Sequence, residues 1–398
     1  MSAIPSVRRR RTATVGLLGA AVLVLLGVLV YSGAKALVRY EGAKDASVDA
    51  EKMQVTPVGM LASVDNANRL TSIAVFVWKP AEVPGGSIVT VPVSSDTAGG
   101  VDDQRIPLAQ VYEEGGAEAL VPAVESVLSL TIDQYLVATP QQLSAALTPV
   151  EPIAVELPKP VREVADDGTV TPLFPAGTVA LTGTQAAQVL NAHDPDVFEA
   201  QRRPLVEAVW AGVAAAVGEG RMTAPDSPVP TTFDDVLARI YAGPAAFRGL
   251  PAVPLPDGES SLGRDVEVLD RAEAVLVFAS IAPSNVSAAS TGLSFEVIAP
   301  RGYDDKVKSF VAALLYLGAN VQRVYLDGPS QTATVLSLAD ARFRELTAGA
   351  EALVGSVTLQ DPAVRLEGID VTFVLGTDYL NRPIDGTLPS TSAPTTLP

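Results

Sequence analysis

The sequence predicts an α/β protein: a sheet flanked by helices, then a small second α/β domain, both placed after one amino-terminal membrane helix. Three observations predict it. Residues 12–34 carry no charge, Ile88 to Val93 is a nearly continuous apolar run rich in β-branched residues, and residues 293–380 switch repeatedly between strand and helix patterns. At 398 residues the chain has room for about two domains of roughly 150 residues each, plus short extra segments.

Val15 to Val30 is almost entirely Leu, Val, Ala and Gly, and 12–34 is longer than the about 20 apolar residues a bilayer span needs. Arg8, Arg9, Arg10 and Arg11 precede it. They place residues 1–11 in the cytoplasm and the bulk of the chain outside, as a single-pass cell-membrane protein. A cleaved signal peptide, with Ala34-Lys35-Ala36 as a loose cleavage site, and a buried core helix are the alternatives. The run is long for a signal core and has no polar face, so an anchor is expected.

The formal charge is −17. Residues 1–44 hold seven Lys and Arg against Glu41, a net of +6, so residues 45–398 carry −23. Such a surface repels phosphates, and neither a helix-turn-helix pattern nor zinc-finger spacing occurs, which excludes nucleic acid as a partner. It suits divalent cations or basic partners, or simply confers solubility. The absence of cysteine excludes disulfides and thiolate metal sites, and a single histidine excludes a multi-histidine zinc site.

In chain order, residues 35–70 lack a convincing period and are expected to form a polar stalk. Ile73 to Val77 enters the sheet, a turn at Lys79 to Gly86 follows, and Ile88 to Val93 is the organising strand, with Pro92 near its end. Ser94, Ser95, Asp96 and Thr97 stand at its carboxyl end, where open α/β sheets bind ligands. Leu120, Val121, Val124, Val127 and Leu128 share one helical face, with Gly115 and Gly116 marking the entry. Tyr135 to Thr139 is a strand, and Thr139-Pro140-Gln141-Gln142 opens a helix with a capping box. Ile153 to Leu157 is a further strand, followed by a polar connection. Thr182 and Gln185 form a second capping box for a helix over 183–190. Pro204 starts or kinks a helix with the stripe Leu205, Val209, Trp210, Val213 and Val217.

Helical segments over 233–241 and 269–281 complete a first domain at 71–285, and the Ser- and Ala-rich stretch 286–292 is a linker. The second domain, 293–380, has the helical stripe Val307, Phe310, Val311, Leu314 and Leu315 between strands. Residues 381–398 form a disordered tail rich in Pro, Thr and Ser towards its end. No glycine-rich nucleotide loop occurs.

Two segments carry a resemblance to a known family. The strand ending in Asp96-Thr97 and followed by Arg105-Ile106, and the later Leu181-Thr182-Gly183-Thr184-Gln185-Ala186, resemble the LytR-CpsA-Psr family; residues 293–380 resemble the LytR carboxyl-terminal domain. The family consists of membrane-anchored envelope proteins that move glycopolymers from phosphoprenyl lipid carriers onto peptidoglycan. The resemblance implies a role in cell-wall assembly and, as partners, the membrane, polyprenyl phosphate lipid, wall glycopolymer or peptidoglycan, and other envelope proteins. It also implies helices that wall a hydrophobic prenyl tunnel, and Asp96 as a catalytic base or a Mg2+ ligand; a plain turn aspartate is the alternative.

The chain departs from the family pattern where charge matters. Ser95, Asn191 and His193 stand at positions where the family has arginines, and none supplies the permanent bidentate fork that a diphosphate takes. Gln201, Arg202 and Arg203 resemble a later basic helix start and, with Arg105, are candidate ligand-binding residues; otherwise they are solvated helix-end charges. Three functions remain open: a non-catalytic binder of carrier lipid or glycopolymer, a phosphotransferase in which Arg202 and Arg203 replace the missing arginines, and a protein-interaction adaptor. Loss of the site is the clearer of the signals, so the binder is expected.

Overall fold

The computed structural model describes residues 50–80, 85–97, 105–165, 167–218, 221–227, 229–255, 265–287, 292–361 and 365–384. The expected cytoplasmic end, membrane helix, residues 35–49 of the stalk, and residues 385–398 of the tail lie outside these. No helix among the described residues is long and apolar enough to cross a membrane. They fall into two units. In the smaller, β1 (Ala50–Glu51) pairs in parallel with β17 (Arg365–Leu366); everything below concerns the larger.

Its central sheet runs in the order β10-β4-β3-β2-β5. The strands are β2 (Val58–Val64), β3 (Leu70–Trp78), β4 (Gly86–Val91), β5 (Gln134–Ala138) and β10 (Ala245–Gly249). The outer pairs, β10 with β4 and β2 with β5, are parallel, while β3 is antiparallel to both neighbours. β2 corrects the expected stalk over 35–70. All seven of its residues are buried, because it lies inside the sheet with both faces covered, and no charged residue falls within it.

Side chains alternate across the sheet with the period of two that strands impose. Leu61, Ala74, Phe76 and Ile88 face one side, where α2 (Pro140–Leu147), α3 (Gly183–Asn191), α4 (Glu199–Ala216) and α5 (Phe233–Tyr241) pack. Met60, Val75, Val77, Val89 and Val91 face the other, against α1 (Leu108–Leu128) and α6 (Arg271–Ile281). On the first side the ring of Phe76 meets Trp210 and Phe233 edge to face, each at 5.7 Å between centroids. Such pairs contribute about 0.5–1.5 kcal/mol beyond area burial.

Both expected capping boxes form. Thr139 Oγ1 accepts from Gln142 N while Gln142 Oε1 accepts from Thr139 N, and Thr182 and Gln185 do the same for α3. Each pairing satisfies backbone donors that a helix start leaves open. The glycines at 115–116 mark a kink, not the helix entry: α1 begins after Pro107, and Gly116 at φ +62° breaks it. Pro204 lies inside α4. The polar connection after β6 (Ile153–Leu157) contains a hairpin of β7 (Val161–Val164) and β8 (Val170–Phe174), and β9 (Gly177–Leu181) returns along β6.

β11 (Ala252–Pro254) and β12 (Glu267–Leu269) form a further antiparallel pair, and a second five-stranded sheet runs in the order β14-β13-β18-β15-β16. Its strands are β13 (Ser294–Ile298), β14 (Asn320–Tyr325), β15 (Thr334–Leu338), β16 (Val357–Leu359) and β18 (Val371–Val374). They pack with α7 (Asp304–Tyr316), α8 (Leu346–Val354) and α9 (Thr377–Leu380) around Phe310 and Phe373. α6 serves two cores: Ala274, Val277 and Phe278 pack against the central sheet, and Val275, Leu276 and Ala279 against the second sheet. The expected linker is fastened at its start. Val286 bridges Leu130, and Ser287 N donates to Ser129 O at 2.9 Å.

Candidate functional site

The carboxyl end of β4 continues through Ser94, Ser95 and Asp96, and β12 lies beside it. Glu267 N donates to Ser94 O, and Asp96 N donates to Glu267 O, each at 2.9 Å. These bonds set the Glu267 side chain, which has no exposed surface, beside the end of β4. Ser94 Oγ donates to Glu267 Oε2 at 2.6 Å, and Arg203 Nη1 lies 2.9 Å from Glu267 Oε1. Asp96 Oδ2 receives Arg105 Nη1 at 2.7 Å. Ser95 is wholly buried, and its Oγ has no partner.

Arg202 sits one residue along α4 and points to the start of β3. All three of its nitrogens are used: Nε donates to Glu199 Oε2 at 3.0 Å, Nη1 to Leu190 O at 3.0 Å, and Nη2 to Thr71 O. Thr71 Oγ1 in turn donates to Asn191 Oδ1 at 2.6 Å. Asn191, the last residue of α3, is buried, and its Nδ2 has no partner. His193 is held through its backbone to β7, its N–H donating to Glu163 Oε2 at 3.0 Å and its carbonyl accepting from Val164 N at 2.8 Å. Gln201 is exposed.

The fold therefore gathers Ser95, Asp96, Arg105 and Arg203 around Glu267, sets Arg202 and Asn191 beside β3, and leaves Gln201 in solvent. Further acids crowd the arginines. Burial pushes the Glu199 carboxyl above its ordinary range, with the Arg202 guanidinium pulling the other way. Burial also raises Asp265, against the pull of the Glu199 N–H that donates to it, and raises Glu207 against Arg203.

On the far side of Asn191 a cavity of about 670 Å3 opens at the carboxyl ends of β2 and β5. α2, α3, the turn after β2 and the β7–β8 hairpin line it. Its volume falls within the range of about 300–1,000 Å3 usual for small-molecule sites.

No protein-family model matches the chain, and no curated protein does. Solved structures do match. TagV of B. subtilis is 15% identical, covering 55% of this chain and 91% of its own, with a TM-score of 0.37. TagT of B. subtilis is 12% identical, covering 58% and 96%, with a TM-score of 0.38. A LytR-Csp2A-Psr enzyme from Actinomyces oris is 17% identical, covering 53% and 93%, with a TM-score of 0.34. The chain is similar to LytR-CpsA-Psr proteins.

The charges that a diphosphate takes do not stand ready at these residues. Ser95 and Asn191 are buried neutral groups, and Arg105, Arg202 and Arg203 are paired with the protein's own carboxylates. A Mg2+ ion does not fit either. Asp96 shares its Oδ2 with a guanidinium, Glu267 is spent on Ser94 and Arg203, and no metal-binding cluster of acids or histidine occurs among the described residues. Sequence reasoning missed Glu267, Asp265 and Thr71. Glu199 was readable, since an acid three residues before Arg202 in a helix is an ion-pair spacing.

Proposed function

We propose that this chain is a membrane-anchored cell-envelope protein of the LytR-CpsA-Psr type that binds wall glycopolymer without transferring it. The commitment of the three described arginines around β12 and the start of β3 carries this reading. Arg105, Arg202 and Arg203 are each within 3.0 Å of an internal carboxylate that is at least nine-tenths buried. Phosphoryl transfer depends on positioning and on neutralising charge in the transition state. A diphosphate entering this cleft would have to displace Glu267 or Glu199, leaving a buried charge unpaired at a cost of about 3–5 kcal/mol.

The test uses the full-length chain in lipid nanodiscs with a polyprenyl-diphosphate-linked saccharide and purified peptidoglycan. Co-sedimentation with glycopolymer-bearing wall, without release of polyprenyl phosphate, is expected. Release above the protein-free blank would overturn the non-catalytic part, and failure to co-sediment would overturn the binding.

A further inference from the structure

The first turns of α4 and the strand β12 share more acid than base. Four carboxylates meet there, Glu199 and Glu207 from α4, Asp265 just before β12 and Glu267 within it, against the two guanidiniums of Arg202 and Arg203. The elements packed around them supply no further cation among the described residues. β3 and α3 offer Arg202 only the carbonyls of Thr71 and Leu190, and β11 offers Arg203 that of Ala252. At the end of β4, Ser94 donates to Glu267, and Arg105 is paired with Asp96. On β10, Arg248 turns to Glu273 of α6. His193, after α3, stands beside Asp194 and Glu163. β6 packs on α4 farther along, at Gly212, and its Glu156 takes Thr178.

Carboxylates gathered in a buried place resist ionising together. Burial raises Glu199, Glu207 and Asp265 alike, against the pull of Arg202 and Arg203, and Glu267 adds to the rise of the first two. The same groups hold β11 and β12 to α4. Arg203 donates to Glu267 and to Ala252 O, and Glu199 N donates to the Asp265 carboxylate. Their freedom to move differs. Glu199 and Glu267 are buried, and Glu207 lies against Gly249, so close that a side chain there would strike its carboxylate. Asp265 is half-buried and stands at the edge of the cluster, so it can relieve the repulsion by turning to solvent, at the cost of its bond from Glu199 N.

We propose that the β11–β12 pair is a proton-operated latch on α4, fastened while the surplus carboxyls carry protons and loosened as they ionise, with Asp265 the group that turns out. The sign follows from linkage: carboxyls whose folded pKa lies above the unfolded one stabilise the fastened state at low pH, and that stabilisation is lost as pH rises through the folded value. The end of β4 follows the latch, because Asp96 N donates to Glu267 O and Glu267 N to Ser94 O. The latch does not depend on what the chain binds.

Hydrogen–deuterium exchange of the full-length chain in nanodiscs, from about pH 5 to about pH 8 and corrected for the intrinsic exchange rate, tests it. Protection of the β12 amides is expected to fall about tenfold or more relative to that of β18, the middle strand of the second sheet, the effect of roughly one unit of pKa shift. The double variant Glu199→Gln, Asp265→Asn keeps the shape and the acceptors of both side chains but cannot ionise, and its β12 should stay protected across the range. Protection of β12 that tracks β18, or that rises with pH, would overturn the latch, as would a double variant that loosens with pH as the wild type does. The wild-type comparison decides by itself if the double variant fails to fold.

Discussion

The guanidinium of Arg203 lies 2.9 Å from the carboxylate of Glu267, a side chain with no exposed surface. The two residues come from α4 and β12, which meet beside the carboxyl end of β4. Glu267→Ala would leave Arg203 without its buried counter-charge, and the expected loss of stability is about 3–5 kcal/mol. Urea denaturation reads it directly. A loss below about 1 kcal/mol, the range of surface pairs, would mean that solvent already reaches the pair.

Arg202 is a structural arginine on this geometry, and lysine should not replace it. A lysine has one nitrogen, without the planar fork that meets Glu199, Leu190 O and Thr71 O together. Arg202→Lys is expected to cost on the order of 3 kcal/mol. Binding of pyrophosphate, titrated in the same preparation, should be as weak for the wild type as for the variant. A wild type that binds pyrophosphate tightly and a lysine variant that does not would restore the phosphotransferase reading.

Putting an arginine back at Ser95 should not rebuild a transfer site. Ser95 is wholly buried, and Leu108 N donates to its carbonyl at 3.0 Å, so the strand end is held closed. Ser95→Arg is expected to destabilise the protein by about 1–3 kcal/mol or more through overpacking, with no gain of polyprenyl phosphate release. Thermal denaturation and the transfer assay check the two parts separately.

The raised carboxyls give the stability a pH signature. Burial holds Glu199 above its ordinary value of 4.5, against the pull of Arg202. A carboxyl whose folded pKa exceeds its unfolded value binds more protons in the folded state, so stability falls as pH rises from the unfolded value to the folded one. Asp265 is shifted in the same direction, mainly by burial, and adds to the effect. The thermal midpoint should therefore decline more steeply from pH 4.5 upward in the wild type than in Glu199→Gln. Equal slopes would show that Glu199 titrates as an ordinary carboxyl.

Local chemistry accounts for the parts of the fold that were legible. Thr139 with Gln142, and Thr182 with Gln185, are helix starts that need nothing but their own neighbours, and both formed as expected. The organising strand and the helical stripe of Phe310, Val311 and Leu314 are likewise periodicity made visible. β2 was lost in a window that mixes it with charged flanks, although no charge lies between Val55 and Val64. The β7–β8 hairpin was lost because Val161 alone of its nine strand residues is buried, so no regular alternation of buried apolar and exposed polar residues announces it.

By itself the sequence determined an α/β chain and a net charge of −23 beyond residue 44. It also set Arg105 within nine residues of Asp96, near enough for one loop to join them. Only the tertiary structure decided what the remaining arginines do. Glu267 lies 64 residues from Arg203, and Thr71 lies 131 from Arg202, distances over which no local propensity acts. Those partners meet because β3, β4 and β12 end at the same edge of the domain, where a buried guanidinium must find a counter-charge or an acceptor within the fold.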